Sequence, residues 1–91
     1  MKYSQESLEG GVFRITLECA LDMDAALNVD DHFMLAAEKQ QRLVVDISGV
    51  DFLASIGIRT LVVTARRIGE NGGRMSIYGA QEGPEKVLRS T

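Results

Sequence analysis

Residues 46–57 organise the whole chain, and they read Asp46-Ile47-Ser48-Gly49-Val50-Asp51-Phe52-Leu53-Ala54-Ser55-Ile56-Gly57. The apolar run at residues 43–47 predicts a strand, and the polar residues after it predict a short loop that leads into a helix. Ser55 falls where that helix begins. The first backbone N–H groups of a helix lack partners within it, so an anion is favourable there. Ser55 is therefore either an ordinary helix cap or a site at which a phosphate is added and removed.

Composition indicates one small domain. The chain has 91 residues, with 13 acidic and 10 basic side chains and a formal net charge of −3. An acidic balance argues against a nucleic-acid binder, whose affinity comes from neutralising phosphates with Lys and Arg. No apolar run approaches the roughly 20 residues of a membrane span, and the N-terminus lacks the apolar core of a signal peptide. We therefore expect a cytoplasmic protein that neither binds nucleic acid nor inserts into a membrane.

The N-terminal region has the period-two pattern of a half-buried strand. Within residues 12–19 one face of that strand carries Phe13, Ile15, Leu17 and Cys19. A turn is expected at residues 9–11 and a partner strand at residues 3–8, so the pattern predicts a hairpin. Cys19 is the single cysteine of the chain, which excludes an internal disulfide, and its apolar neighbours predict a buried thiol.

In residues 24–39 the apolar side chains recur with the period of an α-helix. One face of the predicted helix carries Ala26, Val29, Phe33 and Ala36. Asp22 or Asp24 is expected to cap this helix. Residues 42–47 then form a strand that is apolar on both faces, which is typical of the middle of a sheet covered by helices.

Residues 55–70 show the clearest helical pattern. Spacings of three, four and seven predict one buried stripe, formed by Ile58, Leu61, Val62, Ala65 and Ile68. Ile56 and Val63 lie opposite that stripe, so we expect them on the surface as a docking face beside Ser55. Gly57 is unfavourable in a first helical turn, and its missing side chain would let another backbone or a nucleotide phosphate approach the hydroxyl. These residues alone leave the cap and the regulated site equally open.

The end of the chain predicts a strand at residues 74–78, after a glycine turn, and a loop at residues 79–83. Pro84 is expected at the first position of a last helix, residues 85–90. Strands that alternate with helices imply right-handed crossovers. The predicted fold class is therefore α/β, with a mixed, mostly parallel sheet and helices packed against it.

Residues suited to catalysis or metal binding are scarce. His32 is the only histidine and is expected to be a solvated surface residue, so Ser55 has no catalytic triad. No glycine-rich phosphate loop follows a strand. The four acids Asp22, Asp24, Asp30 and Asp31 lack the spacing of a calcium loop and are more typical of a polar helix start. We expect no enzymatic activity, no metal and no cofactor.

The segment quoted first resembles the signature of the STAS family, which includes the bacterial anti-sigma factor antagonists. The matching positions are Asp46, Ser48, Phe52, Leu53, Ser55, Gly57 and Ile58. Leu21-Asp22 and the order of elements through Gly79 also resemble the family. The resemblance implies one STAS domain over residues 1–91, short at its C-terminus by the last strand and helix.

The resemblance implies a partner switch. In antagonists of this kind the serine aligned with Ser55 is phosphorylated by an anti-sigma factor that is also a serine kinase. The unphosphorylated antagonist binds that kinase and frees the sigma factor, and a serine phosphatase restores the binding form. The residues expected to contact the partner are Asp22, Leu53, Ala54, Ser55, Ile56, Gly57, Arg59 and Val63.

Two departures from the signature favour an alternative. Ala54 replaces the acidic residue before the serine, and Ile56 replaces the serine or threonine after it. The alternative is an unphosphorylated scaffold, or a regulatory STAS domain of a membrane-associated or transporter assembly. A missing last strand would also expose a sheet edge, so we expect the chain either to pair with a second copy or to lose order near its C-terminus.

Overall fold

A computed structural model describes residues 3–18 and 20–89, with residues 87 and 89 described for their backbone alone. The elements in chain order are β1 (Tyr3–Ser7), a 3-10 turn (Glu9–Gly11), β2 (Val12–Leu17), α1 (Met23–Lys39), β3 (Arg42–Asp46), α2 (Ser55–Glu70), β4 (Arg74–Tyr78) and α3 (Glu82–Arg89). None of the described helices combines the length and apolarity that a membrane crossing requires. The prediction of a buried thiol at Cys19 falls outside the described residues.

The four strands form one mixed sheet in the order β1-β2-β3-β4. β1 and β2 are antiparallel, and the pairs β2–β3 and β3–β4 are parallel. The N-terminal hairpin and the mostly parallel sheet are thus confirmed. Gly10 and Gly11 have φ of 78° and 77°, a left-handed conformation that glycine adopts without steric cost, and they turn the chain between β1 and β2.

One face of the sheet supports the core. Ile15, Leu17, Leu43 and Val45 are buried there together with the apolar faces of α1 and α2, including Phe33. On the other face Val44 is only half-buried. β3 lies between β2 and β4, so its predicted place in the middle of the sheet is confirmed, and α1 and α2 pack on the face that carries Leu43 and Val45.

The buried stripe of α2 is rotated from the predicted one. Thr60 and Thr64 are buried, whereas Val62 is 38% exposed. The prediction placed Val62 inside because apolar periodicity treats threonine as polar. Each buried threonine hydroxyl instead donates to the carbonyl one turn back, Thr60 Oγ1 to Ile56 O at 3.1 Å and Thr64 Oγ1 to Thr60 O at 2.7 Å. These bonds satisfy the hydroxyls within the helix and let threonine face the core.

The last helix begins earlier than expected. Glu82 opens α3 inside the predicted loop, and Pro84 is its third residue, not its first. Proline is tolerated there because the first backbone N–H groups of a helix have no acceptor within it. Pro84 is buried, so its ring also packs the helix onto the domain. The predicted end of this helix at Ser90 lies outside the described residues.

Candidate functional site

The loop after β3 is held by a carboxylate. Asp46 Oδ1 accepts hydrogen bonds from Ser48 N at 2.9 Å and from Ser48 Oγ at 2.7 Å. The backbone bond first, and the hydroxyl bond second, lower the pKa of Asp46 because both stabilise its charged form. At the same turn Gln81 Nε2 donates to Ser48 O at 2.8 Å, which ties the start of α3 to the loop. Asp46 therefore shapes the loop that leads to α2.

We expect Asp46→Asn to flatten the acid dependence of stability. A carboxylate with a lowered folded-state pKa stabilises the fold above its ordinary value near 3.8, and this contribution is lost as pH falls through the lower folded-state pKa. Asparagine keeps the acceptor oxygen but does not titrate. Melting temperatures from about pH 6 to about pH 2 test this, with the exposed Asp51→Asn as control. An equally steep acid loss in Asp46→Asn and the wild type would contradict the assignment.

A short bridge brings the starts of α1 and α2 together. Leu21 N donates to Phe52 O at 2.8 Å, and Ala54 N donates to Leu21 O at 3.0 Å. These bonds pair Leu21 with Leu53 as an isolated parallel bridge. Asp22 directly follows the bridge on one side and Ser55 follows Ala54 on the other. Residues far apart in sequence thus meet at one end of the molecule.

Gly57 makes this close packing possible. A side-chain Cβ at residue 57 would stand 2.8 Å from both the carbonyl oxygen and Cγ of Leu21. Such a distance is shorter than real Cβ contacts, so only glycine fits without displacement. A backbone, that of Leu21, does approach Gly57 closely, but the predicted approach of a backbone or a nucleotide phosphate to the Ser55 hydroxyl stays a prediction.

Ser55 is not the cap of α2. Ala54 occupies the N-cap position and supplies no side-chain hydrogen bond, while Ser55 is the first helical residue and is exposed. Within the described part of the chain the Ser55 hydroxyl makes no hydrogen bond to another group. Asp22, in contrast, does cap α1, because its Oδ1 accepts from Ala25 N at 2.9 Å. The cap interpretation is therefore wrong for Ser55 and confirmed for Asp22.

A groove runs between α1 and α2 beside Ser55. This α1–α2 groove has a volume of about 290 Å³ and is lined by Ala26, Leu27, Asp30, Met34, Ile56, Arg59, Thr60 and Val63. Ile56 and Val63, which the sequence predicted on the surface, are half-buried and form walls of the groove. The reason is that α1 packs alongside α2 and covers this side of the helix. A docking surface here would be concave and shared by two helices.

The α1 side of the groove is absent from the sequence predictions. Leu27 is 62% exposed, and Met34 is half-buried on the same helix. Both lie off the buried stripe of α1, so an apolar residue outside the core face was the available signal. Phe52 is another apolar residue outside the core, because its side chain is 53% exposed in the loop before Ser55. Leu27 and Met34 add apolar surface to the groove, and Phe52 adds it to the loop that leads to Ser55.

The other predicted contact residues divide by burial. Leu53 and Gly57 are buried, so they position the loop and offer no side-chain surface to a partner. Ala54 is half-buried, whereas Asp22 and Arg59 are exposed. The reachable residues of the predicted set are therefore Asp22, Ala54, Ser55, Ile56, Arg59 and Val63.

Metal-ligating groups do not converge in residues 3–18 and 20–89. No cluster of three or more His, Cys, Asp or Glu side chains with the geometry of a metal site occurs there. His32 is exposed, as expected, and its ring stacks on Tyr3 with centroids 4.6 Å apart. This histidine lies on a different part of α1 from the Ser55 site.

The fold and the site together define a STAS domain: a small mixed sheet whose third strand leads through a short loop to a serine at a helix start. The family profile described as STAS domain matches residues 6–91. The chain therefore belongs to the STAS family. No curated protein sequence matches it significantly.

Solved structures show the same fold. The chain is similar to the anti-sigma factor antagonist SpoIIAA in its unphosphorylated form, at 16% identity over 99% of this chain and 84% of that chain, with a TM-score of 0.82. An anti-sigma factor antagonist from Mycobacterium paratuberculosis is similar at 22% identity over 98% and 75% of the two chains, with a TM-score of 0.84. The murine anion transporter Slc26a9 is similar at 16% identity over 89% of this chain and 14% of that chain, with a TM-score of 0.75.

Proposed function

We propose that this chain is an anti-sigma factor antagonist whose binding to an anti-sigma factor serine kinase is controlled by phosphorylation at Ser55. The observation that carries the proposal is the exposed side chain of Ser55 at the first residue of α2, next to an apolar groove, with no hydrogen bond from its hydroxyl to the other described residues. STAS membership and the likeness of the fold to SpoIIAA, solved in unphosphorylated and phosphorylated forms, support it. In this role the chain is a cytoplasmic ligand and substrate, not an enzyme.

The proposed switch is a reversible phosphoryl transfer. The kinase moves the γ-phosphoryl group of ATP to Ser55 Oγ, with release of the hydroxyl proton and of ADP. A serine phosphatase then hydrolyses the phosphate ester with water and returns serine and inorganic phosphate. Both reactions need an accessible Ser55 side chain, and an exposed residue at a helix start meets that requirement.

The phosphate acts on binding more than on folding. It adds about −1.5 to −2 charges at pH 7. The free N–H groups at the start of α2 favour an anion, so the fold accommodates it. A partner packed over Ser55, Ile56 and the groove would have to desolvate that charge against apolar surface, which is strongly unfavourable. The unmodified chain is therefore the binding form.

We expect phosphate transfer to the wild-type chain and none to Ser55→Ala. The experiment incubates each chain with the cognate kinase and ATP and locates the phosphate by mass spectrometry. Ser76→Ala is the matched control, because Ser76 is an exposed serine on β4 and not at the site. Phosphate at another residue, or none on the wild type, would refute the proposed switch.

A second candidate function is a STAS domain that binds a partner without phosphorylation. The observations that favour it are Ala54 and Ile56, which flank Ser55 with apolar side chains, and the likeness of the fold to part of the transporter Slc26a9. The identity of the adjacent genes distinguishes the second candidate from the antagonist without a biochemical experiment. A kinase, a phosphatase and a sigma factor support the antagonist, whereas transporter genes support the second candidate.

A further inference from the structure

We infer that Arg59 is the internal counter-ion for a phosphate on Ser55, and that phosphorylation draws the Arg59 guanidinium out of the α1–α2 groove. This inference rests on the proposed function, since it concerns the modified state of the same serine. It adds a second effect to the switch. Phosphorylation adds negative charge at Ser55. It also moves the positive charge of Arg59 away from the groove, so that Asp30 is the charged residue that remains in its lining.

The helix places the two residues for contact. Ser55 and Arg59 are four residues apart in α2, and both are exposed. Residues at this spacing lie on the same helix face, about one turn apart along the axis. Helical side chains lean toward the N-terminus, so the long Arg59 side chain can reach the position of Ser55. An anion that precedes a cation by four residues is also the favourable orientation for a helical ion pair.

Arg59 is available for a new partner. Among the described residues, Arg14 pairs with Glu6 and Arg67 lies 3.9 Å from Glu38, but Arg59 makes no ion pair. Asp30 lines the same groove, but its carboxylate is not within ion-pair distance of the Arg59 guanidinium. In the unmodified chain Arg59 therefore lines the groove without an ion pair, and a phosphate dianion one turn away would attract its guanidinium strongly.

Other charges near Ser55 act in the opposite direction. The acidic groups at this end of the molecule are Asp22 and Asp24 at the start of α1, Asp51 in the loop and Glu82 at the start of α3. Together with Asp30 they raise the second pKa of a phosphate at Ser55, whereas Arg59 lowers it. Because these acids are the same in every variant compared, a difference between variants reports the Arg59 interaction alone.

The test uses the full chain with phosphoserine incorporated at position 55 during synthesis, so it needs no kinase. The second pKa of the phosphate is measured by ³¹P NMR titration. We expect this pKa to be about 0.3 lower in the wild type than in Arg59→Gln, and the lowering to be largely restored in Arg59→Lys. Arg66→Gln is the matched control, because Arg66 is an exposed arginine of α2 that lies about three helical turns from Ser55, whereas Arg59 lies about one turn from it.

Equal phosphate pKa values in the wild type and Arg59→Gln would overturn the inference, and so would an equal shift in Arg66→Gln. Circular dichroism confirms that each variant is folded, and a structural loss alone would not be rescued by lysine. Failure of the proposed function has a different signature. In that case the kinase leaves Ser55 unmodified, while the titration of the synthetic phosphoserine still reports whether Arg59 binds the phosphate.

Discussion

Ser55→Asp is expected to weaken binding to the anti-sigma factor kinase strongly, while Ser55→Ala retains the wild-type affinity. Ser55 is exposed at the start of α2, so a carboxylate is solvated in the free protein. In the complex the same carboxylate would be desolvated against a partner surface, at a cost of about 2–4 kcal/mol. This cost corresponds to a roughly 30- to 700-fold increase in Kd. Titration calorimetry with the purified kinase measures the difference.

The control for net charge is Ser76→Asp. Ser76 is exposed on β4, so the substitution adds the same charge at a place outside the site. It is expected to bind like the wild type. Equal affinities for Ser55→Asp and the wild type would remove Ser55 from the contact surface and leave the second candidate function as the better account.

Gly57→Ala is expected to destabilise the fold by about 1–3 kcal/mol, a loss typical of overpacking. The added Cβ would meet the carbonyl oxygen of Leu21 at 2.8 Å. Leu21 cannot easily withdraw, because its backbone is hydrogen-bonded to Phe52 and Ala54 on both sides. For a domain of this size the melting temperature falls by roughly 5–20 °C. Thermal denaturation followed by circular dichroism provides the measurement.

Gly69→Ala is the matched control for that substitution. Gly69 belongs to the same helix, but a Cβ there would meet nothing within 4 Å. Alanine should therefore stabilise the protein by about 0.5 kcal/mol, through its higher helix propensity and the smaller entropy of its unfolded chain. The same substitution, glycine to alanine, is thus expected to lower the stability of the fold at residue 57 and to raise it at residue 69. A loss of stability in both variants would show that the contact with Leu21 is not the cause.

The order of elements was predictable because each has a strong local pattern. Alternation at residues 12–17, the continuous apolar run at 43–47 and the helical spacing at 55–70 each indicate one structure. Burial of apolar side chains needs these periods wherever an element covers one side of a core. The same local reasoning recognised residues 46–57 as the link between strand and helix, and the match to the STAS family covers that link.

The orientation of α2 was not predictable from periodicity. Thr60 and Thr64 are buried and Val62 is exposed because α1 lies against one side of α2 and the sheet against another. The burial of a threonine depends on whether its hydroxyl finds an acceptor, and here the helix backbone supplies it. Hydropathy alone carries no information about that acceptor.

The sequence by itself determined the fold class, the family and the position of Ser55 at a helix start, because these depend on local periods and a contiguous motif. Tertiary structure alone decided what surrounds the serine. The bridge between Leu21 and Leu53 brings α1 beside α2, makes Gly57 necessary and turns Ile56 and Val63 into walls of a groove. Such contacts join residues more than thirty positions apart, and no local pattern specifies which two segments will meet.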